Sequence, residues 1–163
     1  RLMLRIKSDQ KQRVTLTVND RTVSGFAQPR LLLTDFLRHE LGLYGTHVGC
    51  EHGVCGACTI IIDDVATRSC LRYAVQCDGM KLRTVEGLED VDGTLNALQK
   101  AFNENGALQC GFCTAGILMS ATKFLQENPK PNRDEVRDML SGHICRCTGY
   151  EQIVRAILQA SGQ

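Results

Sequence analysis

The chain has 163 residues, room for one domain or two small ones. Hydrophobic residues make up 43% and charged residues of both signs 23%, an ordinary globular composition. The formal net charge is +1, which argues against a broad nucleic-acid-binding or acidic-membrane surface, and no apolar run approaches the length of a membrane span.

In chain order, Arg1–Ile6 does not read as a secretory signal: it is too short and lacks a small-residue cleavage site. Arg13–Val18 alternates with period two and predicts a strand. Asn19-Asp20 is a good turn, and Arg21–Phe26 returns as the second strand of a hairpin. Leu31–Leu41 places Leu32, Phe36, Leu37 and Leu41 at helical spacing, with Gly42 as a C-terminal stop. A glycine-rich loop, Gly45–Gly56, follows. Thr59–Ile62 is a β-branched apolar strand turning at Asp63-Asp64, and Leu82–Val85 is a further strand. Residues 1–85 thus read as a small α+β sheet domain.

The remainder reads as helical. Glu86–Gly93 is acidic and suggests a linker whose Glu89, Asp90 and Asp92 are solvated. Thr94–Asn103, Ile117–Leu125, Arg133–Leu140 and Ile153–Leu158 each carry an apolar stripe, and Asn132 with Glu135 forms a capping pattern. Four short helices over 86–163 suggest a bundle. Aromatic residues are only 5% and Trp is absent, so both cores must be built from Leu, Val, Ile and Ala.

Cysteine is the anomaly. There are nine, an odd number, and without a secretion signal a disulfide scaffold is a poor reading. Clustered cysteines in a cytoplasmic chain bind metal or do redox chemistry. Cys50-x4-Cys55-x2-Cys58, with Cys70 after eleven intervening residues, is the plant-type ferredoxin spacing. Two irons bridged by two sulfides need four thiolates, two per iron. A short loop wraps such a cluster and one distant cysteine closes it. Gly49 just before the first ligand, with Gly53 and Gly56 between the ligands, permits close backbone approach, so that N–H groups can point at sulfur. The second set is Cys110-x2-Cys113 with Cys145-x-Cys147. Zinc competes here, although zinc pairs usually have two or more residues between ligands. Both pairs precede predicted helices, and two helix N-termini favour an anionic cluster.

Together, Gly-Cys-Glu-His-Gly-Val-Cys-Gly-Ala-Cys-Thr (Gly49–Thr59), Gln-Cys-Gly-Phe-Cys-Thr (Gln109–Thr114) and Cys-Arg-Cys-Thr-Gly-Tyr (Cys145–Tyr150) resemble the small iron–sulfur subunit of the molybdenum hydroxylases, the xanthine oxidase family. The resemblance runs from about residue 13 to 158. Gly45–Glu51 and Ala74–Gly79 look most like the carbon-monoxide-dehydrogenase type. The resemblance implies an N-terminal β-grasp, plant-type [2Fe–2S] ferredoxin-like domain and a C-terminal four-helix [2Fe–2S]-binding domain. It implies a distal cluster on Cys50, Cys55, Cys58 and Cys70, and a cluster nearer molybdenum on Cys110, Cys113, Cys145 and Cys147. It also implies a large molybdopterin subunit and a medium FAD subunit as partners, in a dimer of heterotrimers. Electrons then pass from molybdenum through both clusters to flavin, or the reverse in a few reductases. Gln109 matches the position contacting the molybdopterin cofactor, and Cys147 the ligand beside the pterin. The sequence departs from the family pattern at Ala115 (usually Pro), at His143 (usually Asn) and at Glu51-His52 (usually smaller or acidic).

The other candidates have bland readings. Cys77 is expected to be a buried free thiol. His39, His47, His52 and His143 form no metal-binding pair by spacing and are expected to be solvated or hydrogen-bonded. Phe112, between two ligands, shields the cluster or simply packs; Arg146 offsets cluster charge or lies on the surface. No Ser-His-Asp set, phosphate loop or dinucleotide fingerprint is present, so this chain alone is expected to turn over no substrate. A zinc-stabilised binding module and a free-standing ferredoxin are the alternatives.

Overall fold

The computed structural model describes residues 7–90 and 92–162; Arg1–Ile6 lies outside the described residues. Strand β1 (Gln12–Val18) pairs antiparallel with β2 (Arg21–Ala27), Val18 opposite Arg21. Asn19 and Asp20 both take positive φ, 49° and 63°, the conformation a two-residue turn needs to match strand twist. Val14, Leu16 and Val18 face the core and the residues between them do not, as the alternation requires.

The first helix is shorter than its apolar spacing suggests. It comprises Leu33–Asp35 and continues as a wider π-turned stretch, Phe36–Glu40; together these are α1. Phe36 and Leu37 are fully buried, and Gly42 follows at φ 70°. The ring of Phe36 lies on Gly25 of β2, where an added Cβ would stand 2.8 Å from it.

Strand β3 (Thr59–Ile62) turns at Asp63-Asp64, both at positive φ, into β4 (Val65–Arg68). Strand β5 (Lys81–Arg83) is placed slightly before the expected Leu82–Val85, because Val85 already belongs to a 3-10 turn, Val85–Gly87. The sheet order is β2-β1-β5-β3-β4, with β1 and β5 parallel and the other pairs antiparallel. All four residues of β3 are buried, since both sheet faces are covered there. Ile60 and Ile62 join the core beneath α1, whereas Ile61 joins the helical core on the opposite face. An unbroken apolar run is what a doubly covered strand demands.

The helical part comprises α2 (Ala97–Glu104), α3 (Thr114–Glu127), α4 (Arg133–Leu140) and α5 (Glu151–Ala160). Asn96 with Gln99, and Asn132 with Glu135, form reciprocal capping boxes that start α2 and α4. Phe102, Ile117, Met119, Ile153 and Ile157 fill the core between helices. The segment expected as a linker is tied down at its start. Leu88 is buried in the helical core, and Glu86 accepts hydrogen bonds from Gly45 N at 2.8 Å and from the Thr84 hydroxyl at 2.5 Å. Glu89, Asp90 and Asp92 are exposed, as expected.

The halves meet where α3 crosses β3. A Cβ on Gly116 would collide with the carbonyl oxygen of Gly56 and stand 2.9 Å from that of Ala57, so this helix start approaches the first cysteine loop only because residue 116 has no side chain. Lys123 of α3 reaches Asp64 in the β3–β4 turn at 2.7 Å. Among the described residues no helix is long and apolar enough to cross a membrane.

Candidate cluster-binding site

The loop between α1 and β3 carries Cys50, Cys55 and Cys58, and a 3-10 turn after β4, Ser69–Leu71, brings Cys70 to them. Gly53 and Gly56 stand at φ 77° and 78°, which turns the chain around the thiols. Backbone N–H groups of His52 and Cys55 each point at Cys50 Sγ at 3.4 Å. These donors, Cys55 first, bring the Cys50 thiol down to about 6, within reach of ionisation at neutral pH. The Cys70 thiol is pushed up to about 12 by burial and then by the Cys58 thiol against it. Cys55 is likewise raised by burial, with the Cys50 thiol adding to it. The four thiols therefore meet as two contacting pairs, Cys50 with Cys55 and Cys58 with Cys70.

The second set is assembled from two helix entries. Cys113 is the residue at which α3 begins, and Cys110 lies just before it. Cys145 and Cys147 sit in the loop leading into α5. Cys147 Sγ lies 3.4 Å from Cys110 Sγ, and Cys113 is in contact with Cys145. Burial pushes Cys113 up to about 12. Cys110 is lowered, by the Phe112 backbone N–H first and Cys147 second, whereas Cys147 is raised by the Cys110 thiol hydrogen-bonded to it. At Cys145 burial works against ionisation, but hydrogen bonds from the Thr148 hydroxyl and backbone outweigh it and bring the thiol down. Tyr150, in the left-handed region at φ 68°, clamps this loop. Its hydroxyl accepts from Cys145 N at 2.8 Å and donates to the His143 carbonyl at 3.1 Å.

Two contacting pairs in each set suit a binuclear centre with two thiolates per iron, and the inward backbone N–H groups suit its anionic charge. The residues present thus fit two [2Fe–2S] clusters.

The two loops are stitched together. Ile144 N donates to the Cys55 carbonyl at 2.9 Å, so a backbone path with one hydrogen bond joins Cys145 to Cys55. His47 and Phe112 form a second bridge, through a ring stack and a hydrogen bond. His143 is buried; its Nε2 bonds to the Ser120 hydroxyl at 2.8 Å and its ring lies against Gly56. Burial, and then the charge of Arg68, push it down to about 4. His39 and His52 are exposed, as is Arg146. Cys77 is fully buried and apart from both sets. Phe112 is 47% exposed, so in this chain it does not cover its neighbouring thiols by itself. Sequence reasoning missed the roles of Tyr150, Ser120 and Arg68. A tyrosine directly after Cys-x-Cys-Thr-Gly was the one available signal.

A β-grasp sheet and a four-helix unit, each carrying a set of four thiols, define a two-domain iron–sulfur protein. Residues 16–82 match the family described as 2Fe-2S iron-sulfur cluster binding domain, and residues 84–158 match the [2Fe-2S] binding domain. The chain is 54% identical over 150 residues to the nicotine 6-hydroxylase small subunit of Paenarthrobacter nicotinovorans, covering 92% of this chain and 90% of that one. It is 52% identical to the caffeine dehydrogenase subunit gamma of Pseudomonas sp. (strain CBB1), covering 91% and 90%. A solved structure of quinoline 2-oxidoreductase from Pseudomonas putida 86 superposes with a TM-score of 0.90 at 52% identity, covering 94% of both chains. The chain belongs to the small iron–sulfur subunits of the molybdenum hydroxylases, the xanthine oxidase family. It is an electron-transfer subunit of an oxidoreductase, which decides for iron–sulfur over the zinc reading that the second set left open.

Proposed function

We propose that this chain relays electrons between a molybdopterin centre in a large partner subunit and FAD in a medium one. Its ligands are Cys50, Cys55, Cys58 and Cys70 for the distal cluster and Cys110, Cys113, Cys145 and Cys147 for the proximal one. The observation that carries the reading is the gathering of the eight thiols in two sets, Cys147 Sγ 3.4 Å from Cys110 Sγ, with the two loops joined by the Ile144–Cys55 hydrogen bond. When bound, each [2Fe–2S] cluster supplies a one-electron carrier. The Cys50, Cys110 and Cys145 thiols are held below the ordinary range, which favours the thiolate form that a metal ligand needs. Backbone N–H groups at Cys50 then hold the ligand charge without reorganisation.

Gln109, Cys110 and Cys147 lie together on the exposed edge, beside the partly exposed Leu108, Phe112 and Ile144. This apolar rim around exposed thiols supports docking of that edge on the molybdopterin subunit, with Gln109 and Cys147 facing the pterin. The proposed domain limits are 1–85 and 86–163, supported by family matches that end at residue 82 and begin again at residue 84. A dimer of heterotrimers in the cytoplasm completes the reading. Nicotine, caffeine and quinoline, named in the relatives, support an N-heterocycle as the substrate of the assembled enzyme.

The test is electron paramagnetic resonance of the reduced assembled protein. Two spin systems are expected, one lost in Cys50→Ser and the other in Cys110→Ser. A single spin system in the unsubstituted protein would contradict the assignment.

A further inference from the structure

Arg68 ends β4 and stands two residues before Cys70. Its Nη1 donates to the hydroxyl of Thr59, the residue after Cys58, and its Nη2 donates to the carbonyl of Gly142 at 2.6 Å, three residues before Cys145. One guanidinium therefore touches or borders segments that carry Cys58, Cys70 and Cys145. It is partly buried, and among the described residues it pairs with no carboxylate. The five ion pairs found there engage Lys123, Arg133, Arg137 and Arg155 instead.

A cation withdrawn from water without an anionic partner is unfavourable. Four thiolates around a [2Fe–2S] unit leave that unit net negative, and reduction adds one more negative charge. Resting on the cluster assignment above, we propose that Arg68 is the shared counter-cation of the two cluster sites, raising both reduction potentials while it straps the sheet domain to the helical domain. The position is suited to this. Thr59 and the Gly142 carbonyl hold the guanidinium between the two loops, so its charge acts on both sites without rearrangement when either is reduced. Loss of the charge makes reduction harder at each. Loss of the planar fork alone weakens the strap, because lysine cannot serve both acceptors with the same geometry.

The experiment compares Arg68→Gln and Arg68→Lys with the unsubstituted chain, each assembled with its partner subunits. Iron content, thermal unfolding and a redox titration following each spin system are measured. Arg68→Gln is expected to lower both midpoint potentials. Arg68→Lys is expected to keep them near the unsubstituted values while lowering the unfolding temperature. Unchanged potentials in Arg68→Gln with both spin systems present would reduce Arg68 to a structural strap and overturn the proposal. An equal fall in Arg68→Lys and Arg68→Gln would overturn it too, since charge would not then be the operative property. Should Arg68→Gln lose its iron, a second neutral variant, Arg68→Met, takes its place: lowered potentials beside retained ones in Arg68→Lys support the counter-cation, and unchanged ones refute it. Failure of the underlying cluster assignment would appear separately, as missing spin systems in the unsubstituted protein.

Discussion

The imidazole of His47 lies flat on the ring of Phe112, centroids 4.9 Å apart and planes within 11°, and its Nδ1 donates to the Phe112 carbonyl at 2.9 Å. His47 precedes the first thiol of the ferredoxin-like set by three residues, and Phe112 stands between two thiols of the helical set. One side chain therefore pins the two cysteine loops to each other. His47→Ala removes the stack and the hydrogen bond, and is expected to lower stability by about 1–2 kcal/mol. Chemical unfolding checks the loss, and iron content should stay unchanged because no ligand is touched.

Gly116 offers a test in which two effects oppose each other. Alanine is the better helix former by about 1 kcal/mol. Its Cβ would nevertheless press on the backbone of Gly56 and Ala57, which cannot move without disturbing Cys55 and Cys58. Overpacking of this kind costs about 1–3 kcal/mol, so Gly116→Ala is expected to destabilise and to lower iron occupancy of the ferredoxin-like site. A gain in unfolding temperature would show that the helix does not approach the loop this closely.

Tyr150→Phe deletes one hydroxyl that both accepts from Cys145 N and donates to the His143 carbonyl. A loss of about 1–3 kcal/mol is expected, with two backbone groups left without that partner. The effect should be local. The spin system of the cluster proposed on Cys110, Cys113, Cys145 and Cys147 should broaden or lose occupancy, and the other should be unaltered.

Cys77 gives the pH dependence. Burial raises its thiol above the ordinary value of about 8.5. With the folded value higher than the unfolded one, the neutral thiol is favoured in the folded chain. Its contribution is fully present below the unfolded value and is lost as pH rises through the folded value. Cys77→Ala is expected to cost about 1 kcal/mol at neutral pH and to flatten the alkaline fall in unfolding temperature. Thermal unfolding across that range measures both.

Much of this architecture was legible along the chain. The Asn19-Asp20 hairpin, the Thr59–Ile62 strand and its Asp63-Asp64 turn, and the Asn132-capped helix all form where local chemistry directs them. Short-range signals carry such features: period-two alternation, positive-φ turn residues, a reciprocal cap. Strand β4 escaped because Val65 and Ala66 are exposed, so no burial pattern marks it. The Leu31–Leu41 spacing overstated α1, because Leu31 and Leu32 are spent in the approach to the helix and its second half widens into a π turn. Glu86–Gly93 looked like a free linker because its charges conceal Leu88, whose burial depends on Asn96 and the helical core rather than on its neighbours in sequence. Within the site, the cysteines were visible from spacing alone. The bridges between the loops were not, since Gly116 against Gly56, His47 on Phe112 and Arg68 across to Gly142 join residues that only the packed fold brings together.

The most direct test of the central claim is the content of iron, zinc and acid-labile sulfide per chain, on protein purified anaerobically with whatever copurifies. Two [2Fe–2S] clusters predict about four irons and about four sulfides per chain, without stoichiometric zinc. Zinc with little sulfide would contradict the electron-relay account and leave the eight thiols as structural metal ligands.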